Sequence, residues 1–304
     1  MLDIIGKKFW LLSISGIFSL LCVIFLIVFG LKMGIEFSSG SMMTVGFEQK
    51  VEQADIEEEL VSLGYTNAIV QSTGGGDFFI RTGELNGDDK AALESALTAR
   101  FGSLTVGEFD SVSPMIATET ARNAAIAIAI ASIGILLYIT WAFRRMPSPF
   151  HYGTCAVIAL IATLLVVLGV FAILGAILGW QINLMFITGI LAVIGYSVNN
   201  TVVIFDRIRE NLKRGVSPKF EVIVNNSLIE SLGRSFNTSI TTLIVTVALM
   251  LFVGATIQNF VVVLLIGIVF GTFSSLYIAP PLLVVWENSE WGKFVKRPSL
   301  VRPL

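Results

Sequence analysis

A small set of polar residues interrupts the apolar stretches of this chain at positions suited to chemistry. Asn199 and Asn200 stand near the end of one stretch, while Arg234, Thr238 and Ser239 open another. Polar side chains inside a membrane are costly to bury, so they are candidates for a functional site. Two interpretations stay open. These residues form a polar patch on a conformational or ion pathway, or Asn200 makes ordinary interhelical hydrogen bonds and Arg234 extends to the membrane surface.

A charged cluster follows the paired amides. It consists of Asp206, Arg207, Arg209 and Glu210. Its spacing fits a group of interfacial charges at a helix end, and a coupling site is the alternative.

The remaining reactive side chains form no recognisable set. Cys22 and Cys155 lie in apolar runs, which predicts that both pack as small hydrophobic residues. His151 is the single histidine and has no ligand cluster around it in the sequence. We therefore expect no metal site, no cofactor and no catalytic constellation.

Composition identifies the environment that holds these residues. The chain has 304 residues, of which 55% are hydrophobic and 14% charged, against about 25% charged in soluble domains. The mean hydropathy is +0.83. These values exclude an ordinary soluble enzyme, a disordered chain and a disulfide-stapled module. Six apolar segments are long enough to cross a bilayer. They are residues 9–31, 123–143, 154–178, 182–205, 235–255 and 259–286.

Charge asymmetry predicts the topology. Residues 32–121 carry five Lys/Arg against fifteen Asp/Glu, a net charge of −10, and the rest of the chain carries +8. The positive-inside rule places both termini in the cytoplasm. The sequence thus predicts a first span (9–31), an extracytoplasmic domain (32–121), five further spans (122–286) and a cytoplasmic tail (287–304).

The predicted extracytoplasmic domain has a β-α-β-β-α-β pattern, which is typical of a ferredoxin-like α+β sandwich. Strands are expected at 43–47, 67–71, 77–81 and 104–109, and helices at 51–63 and 88–101. The Gly74-Gly75-Gly76 run lacks the residues of a phosphate loop and predicts a hairpin turn. Glycine pairs at Gly175/Gly179 and Gly267/Gly271 predict close helix packing.

Several segments resemble the SecF family of bacterial protein-export membrane proteins, which is RND-like. The most specific is 195–211 (GYSVNNTVVIFDRIREN), which resembles the family's fourth membrane segment. Residues 34–40 (GIEFSSG) resemble the element after its first helix, and Arg234-Ser235 with 238–243 (TSITTL) resembles its fifth helix. Gly267, Gly271-Thr272, Ser274-Ser275 and Ile278-Ala279 resemble its sixth. The six-span plan with one external domain is also the family's plan.

This resemblance implies an accessory subunit of Sec protein export that uses the ion-motive force. It implies SecD, the SecYEG channel, YajC and preprotein clients as partners, in the bacterial cytoplasmic membrane, with no nucleic acid bound. Two departures bear on the mechanism. Asn200 stands where most members have the proton-carrying Asp, and Ala162-Thr163 stands in place of a His-Asp pair. Because an amide cannot release a proton near neutral pH, this subunit is predicted to lack its own proton carrier.

Three hypotheses remain. The first is an export subunit that depends on SecD for ion coupling. The others are an RND-like small-solute transporter subunit and a non-coupling structural partner of SecD.

Overall fold

The computed structural model describes residues 3–72, 76–252 and 254–291. Gly74, Gly75 and most of the predicted tail, 292–304, lie outside the described residues. In chain order, the described elements after a 3₁₀ turn at Ile5–Lys7 are α1 (Lys8–Phe29), α2 (Ile35–Ser38), β1 (Gly40–Phe47), α3 (Gln53–Ser62), β2 (Ile69–Ser72), β3 (Asp77–Thr82), α4 (Gly87–Phe101), β4 (Leu104–Val112), α5 (Pro114–Ala142), α6 (Pro149–Leu178), α7 (Leu184–Lys213), α8 (Phe220–Phe252), α9 (Ala255–Tyr277) and α10 (Ala279–Glu287).

The chain divides into two compact units. The helical unit comprises Met1–Leu31, Ala127–Leu174 and Met185–Leu304. The α+β unit comprises Lys32–Ile126 together with Gly175–Leu184. The second segment of the α+β unit contains the end of α6 and the connection to α7, which the predicted domain boundaries of 32–121 do not include.

Six helical stretches are long and apolar enough to span a membrane, which confirms the polytopic α-helical prediction. Their ends differ from the predicted spans. α5 begins at Pro114, inside the range predicted for the external domain. α7 continues to Lys213 and α8 begins at Phe220, beyond the apolar cores at 182–205 and 235–255. Hydropathy marks the part of a helix that crosses lipid, whereas these helices continue because their polar extensions pack together.

The last span is interrupted at Ile278, where α9 ends and α10 begins. Pro280 and Pro281 lie in the first turn of α10. Proline lacks the backbone N–H that a helix interior requires, so it is accommodated at a helix start. The predicted span 259–286 therefore contains two helices in series.

Helices α7 and α9 are parallel. Each contacting residue of α7 faces the α9 residue that lies 74 positions later in the chain. A Cβ atom on Gly189 would lie 2.8 Å from Cβ of Val263, and one on Gly267 would overlap the side chain of Val193. One turn further on, Gly271 faces Ser197. The Gly267/Gly271 pair therefore permits the close helix approach that its spacing predicts. Gly175 and Gly179 do not serve this purpose. A Cβ on Gly175 would lie 3.0 Å from the Trp180 carbonyl, and Gly179 follows the end of α6 with φ of +74°.

The α+β unit contains one antiparallel sheet with the strand order β2-β3-β1-β4. This order with two crossover helices is the ferredoxin-like arrangement that the sequence predicts. The core lies between the sheet and the two helices. It includes Met43 and Val45 of β1, Ile56 and Leu60 of α3, Ile80 of β3, and Leu93 and Leu97 of α4.

Serine at position 39 is held in a backbone conformation that normally requires glycine. Its φ is 63° and its ψ is 172°. A non-glycine residue in this region costs about 1–3 kcal/mol. Ser39 sits directly before Gly40, whose own φ is +113° and whose Cβ position is filled by the Thr82 carbonyl.

We predict that Ser39→Gly stabilises the α+β unit by about 1–3 kcal/mol, because glycine removes this strain. Amide hydrogen exchange of β1 and β3 in the full chain measures the effect as slower exchange. Ser95→Gly is the matched control, since Ser95 lies in α4 with its hydroxyl on the Ala91 carbonyl. There glycine should destabilise, by about 0.5–1 kcal/mol. Equal effects at the two sites would contradict the strain argument.

We also predict that Gly267→Ala destabilises the helical unit by about 1–3 kcal/mol, because the new methyl group overpacks the contact with Val193. Val193 has little rotamer freedom in a helix, so it cannot move aside cheaply. Thermal unfolding in detergent is the measurement. Gly134→Ala is the control, since its Cβ would meet nothing within 4 Å. The prediction is wrong if both variants melt at the same temperature.

Candidate functional site

Asn200 lies in the interface between the antiparallel helices α7 and α8. The Tyr196 hydroxyl donates to Oγ of Ser239 over 2.7 Å, and Nδ2 of Asn211 donates to Oγ of Ser227 over 3.0 Å. Asn200 is one turn after Tyr196, and Ser235 is one turn before Ser239. Residues four apart share a helix face, so this register places Asn200 and Ser235 at the same level, between the two hydrogen bonds.

Both residues at this level have polar atoms without partners. Asn200 is 3% exposed and Ser235 is 2% exposed. Nδ2 of Asn200 and Oγ of Ser235 are buried, and neither has a hydrogen-bond partner among the described residues. Buried polar groups normally have hydrogen-bond partners. Two such groups without a partner among the described residues, at one level of the interface, therefore indicate a role for these residues other than packing.

One turn of α9 carries three hydroxyls that bond to three different helices. We call Thr272, Ser274 and Ser275 the hydroxyl hub. Thr272 bonds to Ser239 of α8 over 2.7 Å, and Ser274 bonds to Thr163 of α6 over 2.6 Å. Ser275 accepts from Thr201 of α7 over 2.9 Å and donates to the Ser197 carbonyl over 3.0 Å. The hub therefore ties α6, α7 and α8 to α9 in the buried interior.

Thr163, the position predicted to replace a family carboxylate, is part of this network. Its hydroxyl is buried and bonds both to Ser274 and to the Ala159 carbonyl, over 3.1 Å. Neighbouring Ala162 is apolar and packs against the core. Because both bonds are made inside the helical unit, Thr163 helps to hold α6 against α9. Its side chain offers no ionisable group.

The other predicted site residues lie on the outer surface of the chain. Asn199 and Arg234 are exposed, and Thr238 is half-buried. No hydrogen bond joins Asn200 to Arg234 among the residues that the structure describes. Asn200 is buried and Arg234 is exposed, which fits the interpretation in which Arg234 extends to the surface. Asn237 and Thr241 are also exposed on α8, so polar groups continue along this outer face.

The charged cluster at the end of α7 forms ion pairs that remain partly open to solvent. Arg207 pairs with Glu210 and with Glu230 of α8, each over 2.5 Å, and Arg209 pairs with Asp206. Exposed pairs of this kind contribute about 0–1 kcal/mol each. The arrangement fits charges that brace the ends of α7 and α8, which favours the interfacial interpretation over a coupling site.

Sequence reasoning missed the partners that make the network. Tyr196, Thr201 and the hydroxyl hub were visible as parts of motifs, yet their roles depend on which helices adjoin. The signal available in the sequence was the four-residue repeat of small and hydroxyl residues along α7 and α9. Such repeats mark helix interfaces in membranes.

Comparison with known proteins decides the family. The family described as "Protein export membrane protein SecD/SecF, C-terminal" matches residues 92–289, and the SecD/SecF GG motif matches residues 24–51. The chain belongs to the SecD/SecF family. Membership in this family of protein-export membrane proteins confirms the resemblance found in the 195–211 segment.

Two relatives resemble the chain over almost its whole length. The SecF subunit of the protein translocase of Thermobaculum terrenum is 42% identical, and the match covers 98% of each chain. That of Anaerolinea thermophila is 40% identical, again with 98% of each chain covered. The crystal structure of SecDF from Thermus thermophilus matches with a TM-score of 0.84 and 28% identity. It covers 94% of this chain, which spans 39% of that SecDF chain.

A double-mutant cycle tests the hydroxyl hub. We predict that Thr163→Ala and Ser274→Ala are coupled by about 0.6 kcal/mol, and by no more than about 1.7 kcal/mol, as found for hydrogen bonds between membrane helices. Thermal unfolding in detergent gives the energies. Thr163→Ala paired with Thr241→Ala is the control, since the Thr241 hydroxyl bonds carbonyls of its own helix. Additive effects in the first pair would show that the contact contributes nothing.

Proposed function

We propose that this chain is the SecF-type accessory subunit of Sec protein export and acts with SecD to promote preprotein translocation. Full-length similarity to two SecF subunits supports the role, and the matching SecDF chain supports SecD as the partner. In this proposal SecYEG and preprotein clients are further partners, YajC is an additional one, and the chain performs no catalysis.

The outer polar face of α7 and α8 is the surface that meets SecD. Asn199, Arg234, Asn237 and Thr241 are exposed on spans that lipid would otherwise surround. A cation facing lipid is costly, so it is stable there only beside a partner that supplies an acceptor. The family resemblance gives SecD an intramembrane Asp, and Arg234 is the cation placed to pair with it.

Ion coupling in this proposal belongs to SecD. Asn200 has no proton to release and Thr163 is held by two internal hydrogen bonds. This subunit therefore responds to a change at the SecD carboxylate through Arg234 and the hydroxyl network that links α7, α8 and α9. The single observation that carries the argument is the exposed Arg234 next to the Asn200–Ser235 level, where Nδ2 of Asn200 and Oγ of Ser235 are buried without a hydrogen-bond partner among the described residues.

The proposed location is the bacterial cytoplasmic membrane with both termini in the cytoplasm. The α+β unit then lies outside, where its acidic surface meets emerging clients. The basic connections that follow α5 and α7 support this orientation by the positive-inside rule.

A second candidate is a structural partner that holds SecD without taking part in its cycle. The replaced carboxylate positions, Thr163 and Asn200, favour it specifically. It differs from the first proposal in one respect. A structural partner tolerates loss of the Arg234 charge, whereas a partner in the cycle does not.

Arg234→Gln separates these candidates. We predict that it lowers export at least about tenfold, an effect worth about 1.4 kcal/mol, when the chain complements a SecF-deficient strain together with its cognate SecD. The cause is loss of the cation that faces the SecD carboxylate. Lys219→Gln removes an exposed charge from the connection between α7 and α8 and should leave export unchanged. Normal export with Arg234→Gln would favour the structural partner.

Asn200→Asp tests where the coupling group resides. We predict that the native chain supports ion-dependent export with its cognate SecD but loses it when the SecD intramembrane Asp is replaced by Asn. Asn200→Asp introduces a carboxyl group, which can carry a proton, at a position that is 3% exposed. Asn199→Asp, at an exposed position, is the control for adding a carboxyl group to α7. If neither the native chain nor Asn200→Asp restores export even with SecD, the export proposal fails.

A further inference from the structure

Arg81 of β3 gathers three segments of the α+β unit around its guanidinium group. Nη1 donates to the Met33 carbonyl over 2.6 Å and to Oε1 of Gln181 over 3.2 Å. Nη2 donates to the Ser38 hydroxyl. Burial lowers the pKa of Arg81, and the nearby Glu36 carboxylate acts in the opposite direction. The guanidinium is thus partly withdrawn from water and directed at a fixed set of acceptors.

One of these segments is the connection between α6 and α7, residues 179–183, which we call the docked loop. Its backbone pairs with the chain that follows α1. The Ile182 amide donates to the Lys32 carbonyl and the Gly34 amide to the Ile182 carbonyl, each over 2.8 Å. Nε2 of Gln71, on β2, donates to the Gly179 carbonyl over 2.6 Å. The loop is therefore held at its centre and near its start.

Glycine makes this contact sterically possible. A Cβ atom on Gly34 would lie 2.8 Å from the Ile182 carbonyl and 2.6 Å from the Glu36 carboxylate. Gly179 has φ of +74°, and a Cβ there would overlap the Gln71 amide. Side chains are thus excluded on both sides of the contact, which allows the two backbones to approach.

From this geometry we infer that Arg81 is a positioning residue that fixes the docked loop to the α+β sheet, so that displacement of the sheet is transmitted along the chain into α6 and α7. The docked loop is covalently continuous with both helices, and α7 carries Asn199 and Asn200. This inference rests on the proposed export function, in which movement of the α+β unit must reach the residues that respond to SecD.

Hydrogen exchange on the full chain in lipid nanodiscs tests the positioning step. Arg81→Gln should raise amide exchange in the docked loop about tenfold or more and leave β1 and β3 unchanged, because local opening exposes a contact without unfolding its surroundings. Arg81→Lys should fall between, since lysine keeps the charge but lacks the planar fork. Arg100→Gln is the matched control. Arg100 is 64% exposed and lies 3.7 Å from Glu59.

An engineered disulfide tests the transmission step. Met33 and Ile182 form a parallel bridge, and paired strands lie about 4.8 Å apart, within disulfide reach. In the Arg81→Gln background with SecD present, export should fall about tenfold. Cysteines at positions 33 and 182 should restore it under oxidising conditions, and reductant should abolish the rescue.

Three results would overturn the inference: unchanged exchange in the docked loop, exchange that rises equally across the sheet, or normal export despite a released loop. Failure of the export proposal itself is distinguishable. In that case the native chain supports no export, while the exchange measurement still reports whether Arg81 holds the loop.

Discussion

The close parallel contact between α7 and α9 is the constraint on which the helical unit depends. Gly189, Gly267 and Gly271 remove side-chain bulk at successive turns, so the helix backbones approach closely. At that separation a serine or threonine hydroxyl on one helix reaches the other, and Ser275 bonds both Thr201 and the Ser197 carbonyl. Glycine spacing and hydroxyl bonding therefore act together, since hydroxyl pairs between helices need the short distance between helix axes that glycine permits.

The same bonding joins α6, α7, α8 and α9 through hydroxyl groups in place of ion pairs. A buried carboxylate or histidine needs a hydrogen-bonded partner or water, while a hydroxyl is satisfied by a helix carbonyl one turn away. Thr163 and Ser274 follow this pattern. These four helices are thus joined by short hydroxyl contacts. Among the described residues of α7 and α8, buried side-chain atoms without a hydrogen-bond partner occur at Asn200 and Ser235.

Much of this architecture follows from the sequence. Hydropathy predicts six spans, and the alternation of strands and helices predicts the ferredoxin-like sheet, because both depend on local periodicity. Helix ends are less predictable, as at Phe220, where tertiary packing extends a helix beyond lipid. The pairing of Ser274 with Thr163 and the docking of residues 179–183 on Arg81 were not predictable, because they join segments far apart in sequence. Whether Arg234 or Ser235 faces the bundle was likewise not predictable from spacing alone. Arg234 is next to Ser235, and consecutive residues point to different sides of a helix.

The α7–α9 interface also limits how these helices can move. The bulky partner alternates between them: Val263 lies on Gly189, and Val193 lies on Gly267. A slip of one turn in one direction would press Val193 against Val263, and a slip in the other would leave Gly189 opposite Gly267 with a void. Both are unfavourable in a close-packed interior. The two helices therefore cannot slide along each other easily. Any axial movement of α7 must move α9 with it as one rigid body.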